Sequence, residues 1–286
     1  MFSIHCLYKK DIQSLLIFSF AEKSMARFKL TLEYDGTKFR GWQYQPNQPT
    51  VMGRIMEACD IAFNTSKFEL YGAGRTDAGV HAIAQVAHLE VNTQLPPRVI
   101  KLQLNDQLPS TINILHVEKV GSQFHARHDA VARSYVYQIA TRRTAFGKNN
   151  CWWIKDKLNI SAMTDAAEIM QGFNDYSSFG SSEDEEASTK VDVHWVRIYE
   201  VESSIIIHVV GSHFLWKMVR RMVGVLVEVG RGNLSIEQVK RLFTSYSALP
   251  AKVTAPPSGL YLERVYYSGD EIAEDPIWVL NLFNFS

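Results

Sequence analysis

The sequence predicts an α+β fold built from two successive units, residues 25–122 and 123–286. Three observations carry the prediction. Segments with period-two alternation of apolar side chains are interleaved with segments at helical spacing. That mixture halts at Gly121-Ser122 and then begins again. A chain of 286 residues with 46% hydrophobic content can bury one large core or two modest ones.

In the first unit, Arg27 to Asp35 alternates Phe28, Leu30, Leu32 and Tyr34 with Lys29, Thr31 and Glu33, the pattern of a half-buried strand. From Val51 to Phe63, Met52, Ile55, Met56, Cys59, Ala62 and Phe63 recur at helical spacing. Phe68 to Tyr71 and Ile83 to Val91 read as short strands flanking a glycine-rich turn; a helix opens near Pro97, and Thr111 to Val120 is a strand. In the second unit Ala132 to Ala140 reads as a strand, Ser161 as the N-cap of a helix to about Met170, and Val191 to Val201 with Ile205 to Val210 as a strand pair. Phe214 to Val229 reads as a long apolar helix carrying Lys217, Arg220 and Arg221. Ile236 to Phe243 is a shorter helix and Leu260 to Tyr267 the final strand. No short-period repeat is present, which argues against solenoids and propellers.

Residues 1–24 stand apart. Leu15 to Phe20 is far shorter than the ~20 apolar residues of a membrane span, and no other segment resembles one. Asp11 interrupts the basic stretch a signal peptide needs, and Glu22-Lys23 occupies the place of a small-residue cleavage site. Met25-Ala26-Arg27 directly precedes the first strand, so Met25 is expected to be the natural start and residues 1–24 an extension outside the fold. Three cysteines, Cys6, Cys59 and Cys151, are odd in number and without a CxxC pair. That spacing argues against a disulfide framework and a thiolate zinc site, and fits a reducing cytoplasm.

Thirty basic and thirty acidic residues cancel, so the distribution of charge matters more than the sum. Phe124 to Lys148 and His213 to Arg241 each carry a local charge of +4. Gathered on one cleft, such runs supply salt-dependent phosphate contacts; scattered over unrelated faces, they do nothing specific.

Residues 72–82 read Gly-Ala-Gly-Arg-Thr-Asp-Ala-Gly-Val-His-Ala, a turn presenting Asp77 beside Arg75. Its glycines permit positive φ and close approach to a ligand. The dinucleotide fingerprint fails because Asp77 stands at the third glycine position, and the phosphate-loop pattern fails at Val80 and His81. An ordinary β-turn with a solvated aspartate remains open on these residues alone.

Gly74-Arg75-Thr76-Asp77-Ala78-Gly79-Val80-His81-Ala82 resembles the active-site motif of the TruA family of tRNA pseudouridine synthases. Ahead of it, Leu32-Glu33-Tyr34-Asp35-Gly36-Thr37 and Gly41-Trp42-Gln43 are similar to the family's opening strand and turn. Behind it, in family order, come Asn105-Asp106-Gln107-Leu108-Pro109, Phe124-His125-Ala126-Arg127, Ala132-Arg133-Ser134-Tyr135-Val136-Tyr137, Met218-Val219-Arg220 with Val223-Gly224, and Gly259-Leu260-Tyr261-Leu262. The resemblance spans about residues 25–270. It implies the pseudouridine synthase fold, in which the two units share a largely antiparallel sheet with the active-site cleft between them. It implies a cofactor-independent isomerase, with no metal, that converts uridine to pseudouridine at positions 38–40 in the tRNA anticodon stem-loop and works as a homodimer.

By the same resemblance Asp77 is the nucleophile and Arg220 its ion-pair partner. A carboxylate can attack or stabilise developing positive charge and later leave, and a nearby cation keeps it ionised in a closed pocket. Tyr135 stacks on the uracil once it is flipped out of the RNA and helps move the C5 proton, whereas Tyr137 reads better as a core aromatic. Arg75 holds RNA or the displaced nucleotide, and Leu260 is an apolar pocket residue for which plain core packing is the alternative. His125 and His128 lack the partners of a zinc site, and His81 and His88 read as turn and strand residues. The run Glu183-Asp184-Glu185-Glu186, Tyr44 and Met52 depart from the family's habits at peripheral RNA contacts. Two other readings stand beside the isomerase. One is a catalytically silent RNA-binding or tRNA-folding protein of the same fold; the other is an Asp-dependent phosphotransferase, which lacks the metal-binding acids that reaction needs.

Overall fold

The structure, a computed structural model, describes residues 25–145, 147–181 and 188–276. The expected extension 1–24 and the acidic run 183–186 lie outside the described residues. Within them the chain forms one ten-stranded sheet. Its strands are β1 (Ala26–Tyr34), β2 (Phe68–Gly72), β3 (His81–Val91), β4 (Ile112–Val120), β5 (Ala130–Ala140), β6 (Trp152–Trp153), β7 (Gly172–Asp175), β8 (Lys190–Val201), β9 (Ser204–Gly211) and β10 (Leu260–Tyr267). The order across the sheet is β4-β1-β3-β10-β5-β9-β8-β7, with β2 on β3 and β6 on β5. Only β10 with β3 and β5 with β6 run parallel among these pairs, so the sheet is largely antiparallel.

Alternation along β1 turns Phe28, Leu30, Leu32 and Tyr34 inward against helices α1 (Val51–Phe63) and α2 (Pro97–Gln107). Thr50 caps α1 by accepting from the Gly53 amide, and Asn64, at φ 49°, ends it in the left-handed conformation that asparagine tolerates. A second apolar core gathers α3 (Ile160–Ile169), α4 (Met218–Gly230) and α5 (Ile236–Thr244) against the inward faces of β5, β8 and β9. A short α6 (Leu249–Lys252) leads back to the sheet. Strand β10 joins the two cores, giving Leu260 to the second and Leu262, Val265 and Tyr267 to the first.

Three details differ from the pattern-based expectation. Helix α3 is capped by Asn159, which accepts from the Ala162 amide, and not by Ser161; two capping residue types stand two apart, and the turn selects the earlier. The helix expected from Phe214 starts at Met218, because Lys217 is left-handed at φ 61° and breaks the helical run. Strands β6 and β7 are too short to show a period.

Two family-motif glycines are required by close packing. A Cβ on Gly36 would stand 1.9 Å from the Val80 carbonyl oxygen, and one on Gly41, at φ 99°, would stand 2.6 Å from that of Thr76. Both carbonyls belong to the loop bearing Asp77. Gly36→Ala is therefore expected to destabilise the protein by on the order of 3 kcal/mol, read as a lower denaturant midpoint with little change in slope. A midpoint equal to wild type would show that the loop can retreat freely.

Candidate active site

The loop between β2 and β3 is tied down at almost every residue. The Ala73 amide donates to Val86 O at 2.7 Å, and Gln85 Nε2 to Gly74 O at 3.0 Å. The Trp42 amide donates to Thr76 O at 3.0 Å, and the Tyr34 hydroxyl and Thr76 Oγ1 are 2.8 Å apart. A turn from Asp77 to Val80 closes on a 3.1 Å backbone bond. Only Gly79 of the three loop glycines takes positive φ, at 78°, which corrects the expectation for the other two. Gly72 instead makes room for the Trp42 ring, 2.5 Å from where its Cβ would lie, and Gly74 borders open space.

Asp77 is thereby held at a cleft of about 870 Å³, which Arg75, Tyr135, Arg220 and Leu260 also line. All five sequence-predicted residues meet there. Arg220 Nη1 donates to Asp77 Oδ2 at 2.8 Å, while its Nε donates to Ala255 O at 2.8 Å. The Ala255 amide returns a bond to the Arg220 backbone carbonyl at 3.0 Å, so the two residues are tied through both backbone and side chain. Their side chains are 13% and 21% exposed for Arg220 and Asp77. On β5, the Tyr135 ring meets Phe214 edge-on with centroids 5.1 Å apart. Burial pushes its phenol up to about 12, so it stays protonated at neutral pH and carries a hydrogen to donate. Tyr137 is wholly buried and donates to Pro256 O at 2.8 Å, the core role expected of it. Leu260 both lines the cleft and packs in the second core.

Two contributors escaped the sequence reading. Trp216 Nε1 donates to Asp77 Oδ1 at 3.1 Å, giving the carboxylate's other oxygen a partner. Arg133 donates to Ala130 O, Ser212 O, Ala73 O and Arg127 O, strapping the start of β5 to the Asp77 loop; burial lowers its pKa from a very high ordinary value. Neither had a local signal: Trp216 reads as an apolar helix residue, and Arg133 as one basic residue in a run.

The basic runs divide. Arg127, Arg133, Lys217 and Arg220 line the cleft together with Arg40 and Arg75, and Asp77 is the only acid in that lining among the described residues. Arg231 is instead paired with Glu228 and Asp156 away from it. Three histidines accept backbone amides: His125 Nδ1 takes those of Arg127 and His128, His88 Nδ1 that of Ala126, and His81 Nδ1 that of Gly36. No group of three or more His, Cys, Asp or Glu among the described residues is arranged to hold a metal ion. No helix among them is long and apolar enough to cross a membrane.

A family model described as tRNA pseudouridine synthase matches residues 31–129 and 166–268. The chain belongs to this family. It is 38% identical over 244 residues to tRNA pseudouridine synthase A of Ehrlichia chaffeensis, covering 84% of this chain and 100% of that protein. Proteins of the same name from Thermoanaerobacter sp. and Methylocella silvestris are 37% and 39% identical, each over 85% of this chain and covering 100% and 99% of theirs. A chain of the crystal structure of a Cbf5-Nop10-Gar1 complex aligns at 9% identity and a TM-score of 0.31, over 70% of this chain and 54% of that one, a likeness too slight to bear on the site. The matched segments of the tRNA pseudouridine synthase model contain Arg75 and Asp77 in the first part and Arg220 and Leu260 in the second, while Tyr135 lies between the two. In chemical terms this family member presents an oriented carboxylate beside a neutral phenol, inside a cationic cleft. Such a group can attack an electrophilic carbon or stabilise positive charge developing on one.

Proposed function

We propose that this protein isomerises uridine to pseudouridine in tRNA, at positions 38–40 of the anticodon stem-loop, with Asp77 as the nucleophile. The observation that carries the reading is the Asp77 carboxylate, fixed in the cleft by Arg220 and Trp216. The reaction breaks the N1–C1′ bond, turns the uracil and joins C5 to C1′. The C5 proton leaves and N1 takes one up, so no atom or electron is gained or lost. Asp77 supplies the negative charge that the opened sugar needs, and Arg220 keeps that charge in place.

A stacked uridine cannot reach Asp77, so the base must be flipped into the cleft. Tyr135 stacks on it there, and its phenol helps move the C5 proton. Arg75, on the same loop as Asp77, holds RNA or the displaced nucleotide, while Leu260 supplies an apolar wall. The six basic residues of the cleft lining suit a polyanion. The curated relatives' shared name supports tRNA as the substrate. The protein acts as a homodimer in the cytoplasm and uses no cofactor.

Tritium release from tRNA labelled at uridine C5 tests the proposal. Wild-type protein is expected to release label from anticodon stem-loop uridines and from none elsewhere. Tight tRNA binding with no release would replace this reading with the silent RNA-binding protein.

A further inference from the structure

We propose that Trp216 is a positioning residue for the reacting carboxylate: its indole N–H holds Oδ1 of Asp77 as Arg220 holds Oδ2, fixing one orientation of the acid in the cleft. The inference rests on Asp77 being the reacting acid. Four observations support it. The indole nitrogen is 3.1 Å from Oδ1, while Arg220 engages the other oxygen. The ring is 53% exposed, so core packing does not account for a tryptophan here. Its backbone is pinned independently of the side chain, through the Trp216 amide donating to Ser181 O at 3.1 Å. Lys217, next along, adopts φ 61° and lays its ammonium 3.9 Å from the indole centroid.

A non-glycine residue at positive φ is uncommon, and here it directly follows the tryptophan whose ring its ammonium covers. A cation over the ring draws electron density from it and makes the N–H a stronger donor. Trp216 therefore presents a polarised donor to a carboxylate, and such a bond favours the ionised form. A carboxylate held at both oxygens cannot rotate about its Cβ–Cγ bond, so its remaining lone pairs keep a fixed direction toward the cleft.

The test is steady-state tritium release by Trp216→Phe, which keeps an aromatic ring and loses the N–H. At neutral pH kcat falls about tenfold while KM for tRNA stays within about twofold.

The contact itself is read separately in Asp77→Asn, where one of the six indole N–H signals shifts from its wild-type position; this holds even if Trp216→Phe fails to fold. Wild-type kcat in Trp216→Phe, or an unchanged indole spectrum in Asp77→Asn, would overturn the inference. Full activity of Asp77→Asn would remove the assignment of Asp77, and this inference with it. An inactive Asp77→Asn beside an unaffected Trp216→Phe removes only the inference.

Discussion

Asp77→Asn lowers single-turnover tritium release by about four orders of magnitude, with tRNA affinity within a fewfold of wild type. The substitution keeps the shape of the side chain and removes its charge. A neutral amide is a poor nucleophile and gives no electrostatic support to an opening sugar. It also mismatches its neighbours. Arg220 Nη1 and Trp216 Nε1 both donate, so a side chain with one oxygen and one NH2 sets a donor against a donor on one side. Six cationic residues in the lining remain to bind RNA, which separates the loss of chemistry from the loss of affinity. Residual release above about one per cent of wild type would move the nucleophile elsewhere.

Arg220→Lys is expected to lower kcat by about two to three orders of magnitude, despite the retained charge. Arginine satisfies two sites at once here, Nε on Ala255 O and Nη1 on Asp77 Oδ2, both at 2.8 Å. A lysine ammonium is a single point and cannot hold both acceptors in that geometry. Arg220→Met removes the cation altogether and is expected to lower kcat further than Arg220→Lys. Both groups are largely shielded, and losing the partner of a shielded charge costs about 1–3 kcal/mol of stability, which a denaturant titration detects. Wild-type kcat in Arg220→Lys would mean that charge alone suffices.

Much of this site was legible because its parts lie in segments with strong local patterns. The glycine turn announces a loop, and the alternation along β1 and β5 assigns sides to Leu32 and Tyr137. Even so, placing Tyr135, Arg220 and Leu260 opposite Asp77 rested on resemblance, since no local pattern says which distant segments meet. The parallel pairing of β10 with β3, Tyr261 beside His81, has no signature in either strand. Trp216 escaped for a different reason. It sits in an apolar run that satisfies helical spacing, and the break at Lys217 lacks the glycine, asparagine or proline that marks most breaks. The N-cap of α3 was ambiguous because Asn159 and Ser161 both qualify by type.

Strand β10 has a further implication, for the order in which the molecule is made. It is the seam between β3 and β5, yet its residues follow those of every other strand in the sheet. A growing chain can therefore collapse its earlier helices and strands before the seam exists. Until Leu260–Tyr267 emerges, the carboxylate loop and the α4 arginine belong to halves with no shared backbone ladder. Competence for chemistry is thus acquired late in synthesis, after most of the apolar surface is already covered.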